Sequence, residues 1–262
     1  FAPALVALDK NTGKVVGEET SGVSKRVLHA SWSSPSFTTV KGKPLIVWGG
    51  GDGFAYAYDP EPYAHPEGFP ALKEILRYDA NPPEYRMKNG QPLKYATHDG
   101  PSEVVATVVA KGDRAFLVIG QDPEHGDGVG MMSCLDLSAT GDITGKALWT
   151  YKDIGRSIST PSIDGDLVYQ AEYDGDIHCL DAKTGQALWT HSTNSRIWSS
   201  TLVADGKVYC GNEDGELVIL KAGREKKLIA RVEFYTPIYC TPVVANNTLY
   251  VATLTHLFAI GK

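Results

Sequence analysis

Apolar and polar residues alternate with a period of two along much of this chain. In one stretch, Leu167, Tyr169 and Ala171 alternate with the residues between them. A second alternating run follows at 177–181, after the Asp-Gly pair at 174–175. Such alternation predicts β-strands. Asp-Gly between two strands predicts a hairpin with a type I′ turn, in which both central residues have positive φ.

The pattern repeats at intervals of 40 and 41 residues, as the column Tyr169, Tyr209 and Tyr250 shows. An apolar residue followed by Asp or its replacement recurs at 8–9, 58–59, 135–136, 180–181, 220–221 and 260–261. Three turns separate four short strands in each unit. Four strands at this period are typical of a propeller blade. We therefore predict an all-β fold, a β-propeller of four-stranded antiparallel blades.

The units predict a single propeller domain over residues 1–262, with four full blades and two partial ones. The interval from Asp59 to Asp136 is 77 residues, much longer than the intervals between neighbouring units. We assign 60–100 as a long insertion on one face, where binding is often located. Pro70–Tyr78 within it is predicted to be an outer strand or a short helical turn.

Composition narrows the classes of function. The formal net charge of −6 argues against a protein that binds nucleic-acid phosphates. No apolar run approaches the roughly 20 residues of a membrane-spanning helix, so we expect no transmembrane segment. The four cysteines stand alone in apolar runs and are predicted to be small buried hydrophobes: Cys134, Cys179, Cys210 and Cys240.

Three strings carry a more specific motif: ALVALDKNTGKVV, CLDLSATGDITGKALW and CLDAKTGQALW. They resemble the tryptophan-docking motif of the pyrroloquinoline-quinone-like (PQQ-like) β-propeller repeat family. In that family a strand ends in an apolar-Asp pair, turns through Thr-Gly and returns to a tryptophan. Trp149 and Trp189 stand at that position and are expected to be structural docking residues between blades. The tryptophan is replaced in other units by Val16, Leu76 and Leu228.

The resemblance also implies how the ring closes. The family builds seven- or eight-bladed rings, in which an N-terminal strand completes the last blade. Here the partial blades would supply two strands and three strands, one more than a single blade holds. We therefore expect this sequence to be the C-terminal part of a longer chain with an eight-bladed ring.

The family contains both enzymes and binding proteins. Its enzymes are quinoprotein dehydrogenases of alcohols and sugars, which hold PQQ and calcium over the central channel and in many members carry an adjacent Cys-Cys pair. This sequence has no adjacent cysteines, and no trio of Asn, Glu and Asp calcium ligands falls on matching positions. We therefore interpret the protein as a non-catalytic scaffold without a cofactor. It would bind protein partners, including cell-envelope partners, as a periplasmic or secreted bacterial protein. A PQQ- and calcium-dependent dehydrogenase and a carbohydrate-binding propeller are the alternatives.

Candidate binding residues precede the innermost strand of each blade. Equivalent positions of a propeller converge on one rim, which predicts a ligand or partner rim made of His29, Trp32, Arg156, Arg196, Trp198 and Tyr239. Cationic groups with aromatic walls suit a carboxylate or quinone ligand, or an acidic loop of a partner. The alternative is structural: nearby Ser and Thr satisfy the turns, and the arginines pair with neighbouring acids.

The loop Gly120–Gly130 concentrates oxygen ligands. Asp122, Glu124 and Asp127 could hold a calcium ion, although their spacing matches no EF-hand. An enlarged hairpin turn is the alternative. The recurring Asp-Gly pairs contribute acids that are predicted to serve only their turns: Asp52, Asp174 and Asp214.

Overall fold

In a computed structural model, the described part of the chain contains β-strands and two 3₁₀ helices, Val23–Lys25 and Pro83–Arg86. The structure describes residues 2–28, 31–95, 97–98, 100–126 and 128–261. Contacts divide the chain into two compact units, Phe1–Thr150 and Tyr151–Lys262. Among the described residues, no helix is long and apolar enough to cross a membrane.

The first unit contains a seven-stranded sheet, a four-stranded sheet and a two-stranded hairpin. The strands of the largest sheet are β1 (Val6–Leu8), β2 (Val15–Glu18), β3 (Ser36–Val40), β4 (Lys43–Gly49), β5 (Phe54–Ala64), β6 (Pro70–Asp79) and β12 (Gly141–Asp142). The hairpin and the four-stranded sheet contain β7 (Met87–Lys88), β8 (Gln91–Pro92), β9 (Val109–Lys111), β10 (Arg114–Ile119), β11 (Met131–Asp136) and β13 (Trp149–Tyr151). The sheet orders are β1-β2-β6-β5-β4-β3, with β12 also beside β6, and β13-β11-β10-β9.

Strands β5 and β6 form a hairpin that extends beyond the blade. Their pairing continues past two breaks in register to Tyr63 opposite Ala71. Residues 60–64 and 70–79 of the predicted insertion therefore lie in β5 and β6, which are central strands of the seven-stranded sheet. Pro70–Asp79 is a strand rather than a helical turn.

The second unit contains three sheets, whose strands follow the chain order. Two are four-stranded: β14 (Ser162–Asp164), β15 (Leu167–Ala171), β16 (Asp176–Asp181) and β17 (Ala187–Ser192), then β18 (Leu202–Ala204), β19 (Lys207–Gly211), β20 (Glu216–Lys221) and β21 (Leu228–Glu233). The third sheet has three strands, β22 (Val243–Ala245), β23 (Thr248–Ala252) and β24 (Leu257–Gly261). Every pairing within these sheets is antiparallel.

One break in register recurs at the same place in the repeat: between Ala7 and Leu8, Ala57 and Tyr58, Cys179 and Leu180, and Ile219 and Leu220. The next residue is the repeat Asp in three of these units, and it is Lys221 in the fourth. Oδ1 of Asp181 accepts hydrogen bonds from the backbone N–H groups two and three residues later, both at 3.0 Å, and Asp9 does the same at 3.0 and 2.8 Å. The carboxylate satisfies donors that the tight turn would leave without a partner, which explains why the apolar-Asp pair and Thr-Gly recur together.

This break also decides which residue faces the next strand. Trp189 pairs with Cys179, the last residue before the break. Leu76 pairs with Ala57, the last residue before the equivalent break, so Leu76 takes the tryptophan position as predicted. The predictions for Val16 and Leu228 were wrong, because Gly17 and Ala230 occupy that register. A bulge offsets the returning strand, and sequence alignment does not detect that offset.

The hairpin turns are of two kinds. Both central residues have positive φ at 205–206 (49° and 66°) and at 246–247 (50° and 60°), as a type I′ turn requires. At 174–175 and 214–215 only the glycines have positive φ, +115° and +88°. The type I′ prediction was therefore wrong for these two pairs. A Cβ on either glycine would lie 2.6 Å from a backbone oxygen of the following segment, so the turn requires glycine for close approach.

The apolar core lies between the sheets of each unit. Leu76, Leu117 and Leu135 belong to the largest cluster of the first unit, and Tyr169 and Ile177 belong to that of the second. Three cysteines are buried free thiols whose pKa burial raises to about 12: Cys134, Cys179 and Cys210. The prediction that Cys240 is also buried was wrong, because its side chain is exposed.

Candidate functional site

The structure brings four of the predicted rim residues together in the second unit, around a residue that the sequence did not indicate. Tyr173 is 3% exposed. The guanidinium carbon of Arg156 lies 4.2 Å from the centre of its ring, and that of Arg196 lies 5.6 Å away. These distances are those of cation–π contacts. A buried tyrosine thus holds two cationic side chains.

Trp198 extends this cluster towards solvent. Its ring contacts Tyr173 edge-on at 5.2 Å and Tyr239 at 5.6 Å. The hydroxyl of Tyr239, which is 37% exposed, donates to Oε1 of Glu213 at 3.3 Å. The indole N–H of Trp198 is buried and has no hydrogen-bond partner among the described residues. We call Arg156, Tyr173, Arg196, Trp198 and Tyr239 the aromatic-arginine cluster.

Backbone hydrogen bonds explain this convergence. The N–H of Tyr173, in the turn between β15 and β16, donates to the carbonyl of Arg156 at 2.9 Å. One blade later, the N–H of Glu213 donates to the carbonyl of Arg196 at 2.8 Å. The repeat therefore places each arginine beside the residue before an Asp-Gly pair, which is Tyr in one blade and Glu in the next. The sequence showed the equivalent arginines, but not the turn residues beside them.

The Ser and Thr residues near the cluster link neighbouring blades. The N–H of Thr160 donates to Oγ of Ser200 at 2.8 Å, and the N–H of Ser200 donates to Oγ1 of Thr241 at 2.9 Å. Ser34 and Thr107 repeat this contact in the first unit at 3.4 Å. These hydroxyls serve the fold, which leaves the aromatic and arginine side chains as the candidates for binding.

The other two predicted rim residues belong to the first unit. Trp32 is 58% exposed. His29 lies outside the described residues. A binding role for either residue stays a prediction.

The predicted calcium loop is also in the first unit. Oδ1 of Asp122 accepts a hydrogen bond from the N–H of Glu124 at 2.8 Å, as expected for a turn residue. Asp127 lies outside the described residues, so the calcium site stays a prediction. A nearby carboxyl was not anticipated: burial, and then the charges of Asp122 and Asp52, raise the pKa of Glu103 to about 7.

Asp52 does more than serve its turn. It is completely buried, and its Oδ2 accepts hydrogen bonds from Arg26 and from the hydroxyl of Tyr56, each at 2.7 Å. Asp174 and Asp214, at the same position of the repeat, are exposed. The prediction of a turn role alone was therefore wrong for Asp52, because a buried carboxylate needs a charged partner.

The two predicted docking residues are both 8% exposed. The indole N–H of Trp189 donates to the carbonyl of Gly223 in the next blade at 2.9 Å. The hydroxyl of Tyr169 accepts a hydrogen bond from the N–H of the same glycine at 2.7 Å. The ring of Trp149 lies 6.0 Å from that of Phe116.

Comparison with known proteins agrees with the repeat. Residues 135–228 match a PQQ-repeat family model described as outer membrane protein assembly factor BamB. The resemblance to PQQ-like repeats is confirmed by that match. None of the curated proteins matches this sequence.

Solved structures resemble the chain over nearly all of its length. The crystal structure of BamB from Moraxella catarrhalis matches 97% of this chain, with a TM-score of 0.65 and 17% sequence identity. This chain spans 65% of the length of that BamB chain. The computationally designed Ika8 protein matches 96% of this chain and 75% of its own, with a TM-score of 0.53 and 14% identity. The prediction of an all-β propeller of four-stranded blades is confirmed, while the number of blades stays a prediction.

Proposed function

Since residues 135–228 carry PQQ-like repeats of the BamB type, we propose that this protein is a non-catalytic propeller that binds protein partners. We place it outside the cytoplasm of a bacterium, in the periplasm or secreted, with partners in the cell envelope. The propeller fold and the BamB-like repeat support a protein-interaction module. The aromatic-arginine cluster of the second unit supplies its binding surface.

The observation that carries this proposal is the stacking of two arginines on Tyr173, at 4.2 and 5.6 Å. Tyr, Trp and Arg are the residue types that dominate the energetics of protein interfaces. A guanidinium held against a ring loses little further freedom when it binds, and its planar donors match a carboxylate. The partner surface is therefore an acidic segment.

The indole N–H of Trp198 adds a second requirement. A buried donor without a partner costs about 1–3 kcal/mol, and a carbonyl or carboxylate oxygen of the bound segment would remove that cost. The acidic side chain of Glu213 borders this surface, and the hydroxyl of Tyr239 already donates to it. The cluster thus offers two cations, one indole donor and aromatic walls to an incoming acidic loop.

Peptide selection tests this proposal. Random 12-residue peptides displayed on phage are selected on the immobilised chain, and the enriched peptides are synthesised. We expect enrichment of Asp and Glu beside an apolar residue. Affinity should fall about 100-fold or more in Arg156→Ala with Arg196→Ala, because each of the two arginines contributes at least one charge-assisted hydrogen bond of about 1.5–3 kcal/mol.

Arg224→Ala is the matched control. Arg224 is half exposed and pairs with Asp166 and Asp181 away from the cluster, so this variant should keep the affinity. Neutral peptides, or acidic peptides that bind the double variant equally well, contradict the binding surface. Turnover of alcohols or sugars by the chain with added PQQ, calcium and a redox dye would contradict the non-catalytic assignment.

A further inference from the structure

A second group of polar side chains lies in the blade β14–β17 and is not part of the aromatic-arginine cluster. Glu172, Asp176 and His178 each direct one ligand atom to a common place, and the three atoms lie within 4.8 Å of one another. The side chain of His178 is 4% exposed and that of Glu172 is 12% exposed. A mixed set of imidazole and carboxylate ligands in such a position is what a transition-metal site uses.

The spacing of two of these atoms fits a shared metal ion. Nε2 of His178 lies 3.2 Å from Oε2 of Glu172. Ligand atoms bound to zinc at 2.0–2.2 Å in a tetrahedral arrangement lie about 3.3 Å apart. An ion can therefore take both atoms with little rearrangement. The carboxylate of Asp176, at the half-exposed start of β16, supplies the third ligand atom of the group.

Neighbouring groups hold the side chains of His178 and Glu172 in position. Nδ1 of His178 lies 3.2 Å from the hydroxyl of Tyr151 and 3.3 Å from Oγ1 of Thr190. With an ion bound in place of the Nε2 proton, Nδ1–H can donate a hydrogen bond to either hydroxyl oxygen, and metal-bound histidines commonly have such a partner. Oε2 of Glu172 accepts a hydrogen bond from the N–H of Gly155, which helps to fix the position of this carboxyl group.

The next blade shows that the fold does not require this group. Forty residues later, the equivalent positions hold Asn212, Glu216 and Val218. Glu216 is paired with Arg231 at 2.8 Å. The same backbone thus exists with one acid and no imidazole, so a structural demand of the hairpin does not explain Glu172 and His178. We propose that Glu172, Asp176 and His178 bind a divalent transition-metal ion of the zinc class.

Titration with cobalt and zinc tests the site. The full chain, without a histidine tag and freed of metal by chelation, is titrated with Co²⁺ alone, and the visible absorption of the bound ion is followed. We expect saturation at one ion per chain and displacement by Zn²⁺. His178→Val, which copies the next blade, and Asp176→Asn should each weaken binding by at least about tenfold.

Two controls separate this site from adventitious binding. His191→Gln removes a histidine of the neighbouring strand that pairs with Ile177 rather than with His178. Glu216→Gln removes the acid of the equivalent turn. Both should keep the cobalt spectrum and the affinity. Equal binding by His178→Val and the unchanged chain overturns the proposal, as does the absence of saturable binding. If His178→Val does not fold, Glu172→Gln provides the same comparison.

Discussion

The blades β14–β17 and β18–β21 have the same backbone and different chemistry. In both blades the strand register breaks at the same place in the repeat, between Cys179 and Leu180 in the first and between Ile219 and Leu220 in the second. Both have a glycine with positive φ packed against the following segment, at Gly175 and Gly215. The first blade, however, has Glu172 in its turn and His178 in β16, while the second blade has an amide and a valine at those positions.

This comparison separates the residues that build a blade from those that give it a function. Positions that agree in both blades carry backbone geometry: the bulge, the turn glycine and the interblade Ser and Thr. Positions that differ carry groups that the backbone does not need. Tyr173 and Glu213 show the same division, because each lies before an Asp-Gly pair and only the tyrosine holds two arginines.

The largest effect is expected at the docking tryptophan. Trp189→Ala should destabilise the fold by about 3–5 kcal/mol, because it removes a buried ring and leaves the carbonyl of Gly223 without its indole donor. Leu228→Ala should cost about 1 kcal/mol or less, since Leu228 is 43% exposed and does not occupy the tryptophan register. Urea unfolding measures both. Equal losses would show that Leu228 is the true equivalent of the tryptophan.

The turn glycines should show nearly equal losses in the two blades. Gly175→Ala and Gly215→Ala should each cost about 2–3 kcal/mol, because both the positive φ and a backbone oxygen 2.6 Å from the new Cβ oppose the change. Gly206→Ala is the control: its φ is +66° but no atom lies within 4 Å of the new Cβ, so about 1 kcal/mol is expected. Thermal unfolding of the three variants tests this order. A loss at Gly175 alone would show that the two turns are not equivalent.

A smaller, pH-dependent effect should distinguish the blades. Glu172→Gln should destabilise the protein by about 1.5 kcal/mol at pH 7, because hydrogen bonds to a charged group are lost. The pKa of Glu172 is lowered in the folded state from an ordinary value of 4.5. The advantage of the carboxylate is therefore present above pH 4.5 and is lost as the pH falls through the lowered pKa. Asn212→Asp, which places an acid in the other blade without a histidine, should give no such gain at pH 7.

Much of the fold could be predicted from the sequence because the same short-range residue patterns recur in each blade. The strand alternation, the Asp that satisfies the Thr-Gly turn and the position of Trp189 all depend on residues close in the chain. The turn type at 174–175 was not predictable in this way, because the backbone of Ser195, in the following segment, packs closely against Gly175. The register of Ala230 depended on a bulge that has no sequence signal of its own.

The candidate sites were less predictable, since their members come from different strands and turns. Sequence spacing identified Arg156 and Arg196 as equivalent, but Tyr173 was hidden among turn residues. Glu172 and His178 were also missed. They are six residues apart on opposite sides of a turn, and only the pairing of β15 with β16 brings them together.

The sequence by itself determined the all-β blades, their period and the position of Trp189, because these follow from alternation and turn chemistry within about 40 residues. The tertiary structure decided which polar groups meet. Hydrogen bonds between segments place arginines on Tyr173, and strand pairing places an imidazole against a carboxylate. Such encounters depend on distances across the sheet, and those distances are set only when the blades have paired and packed.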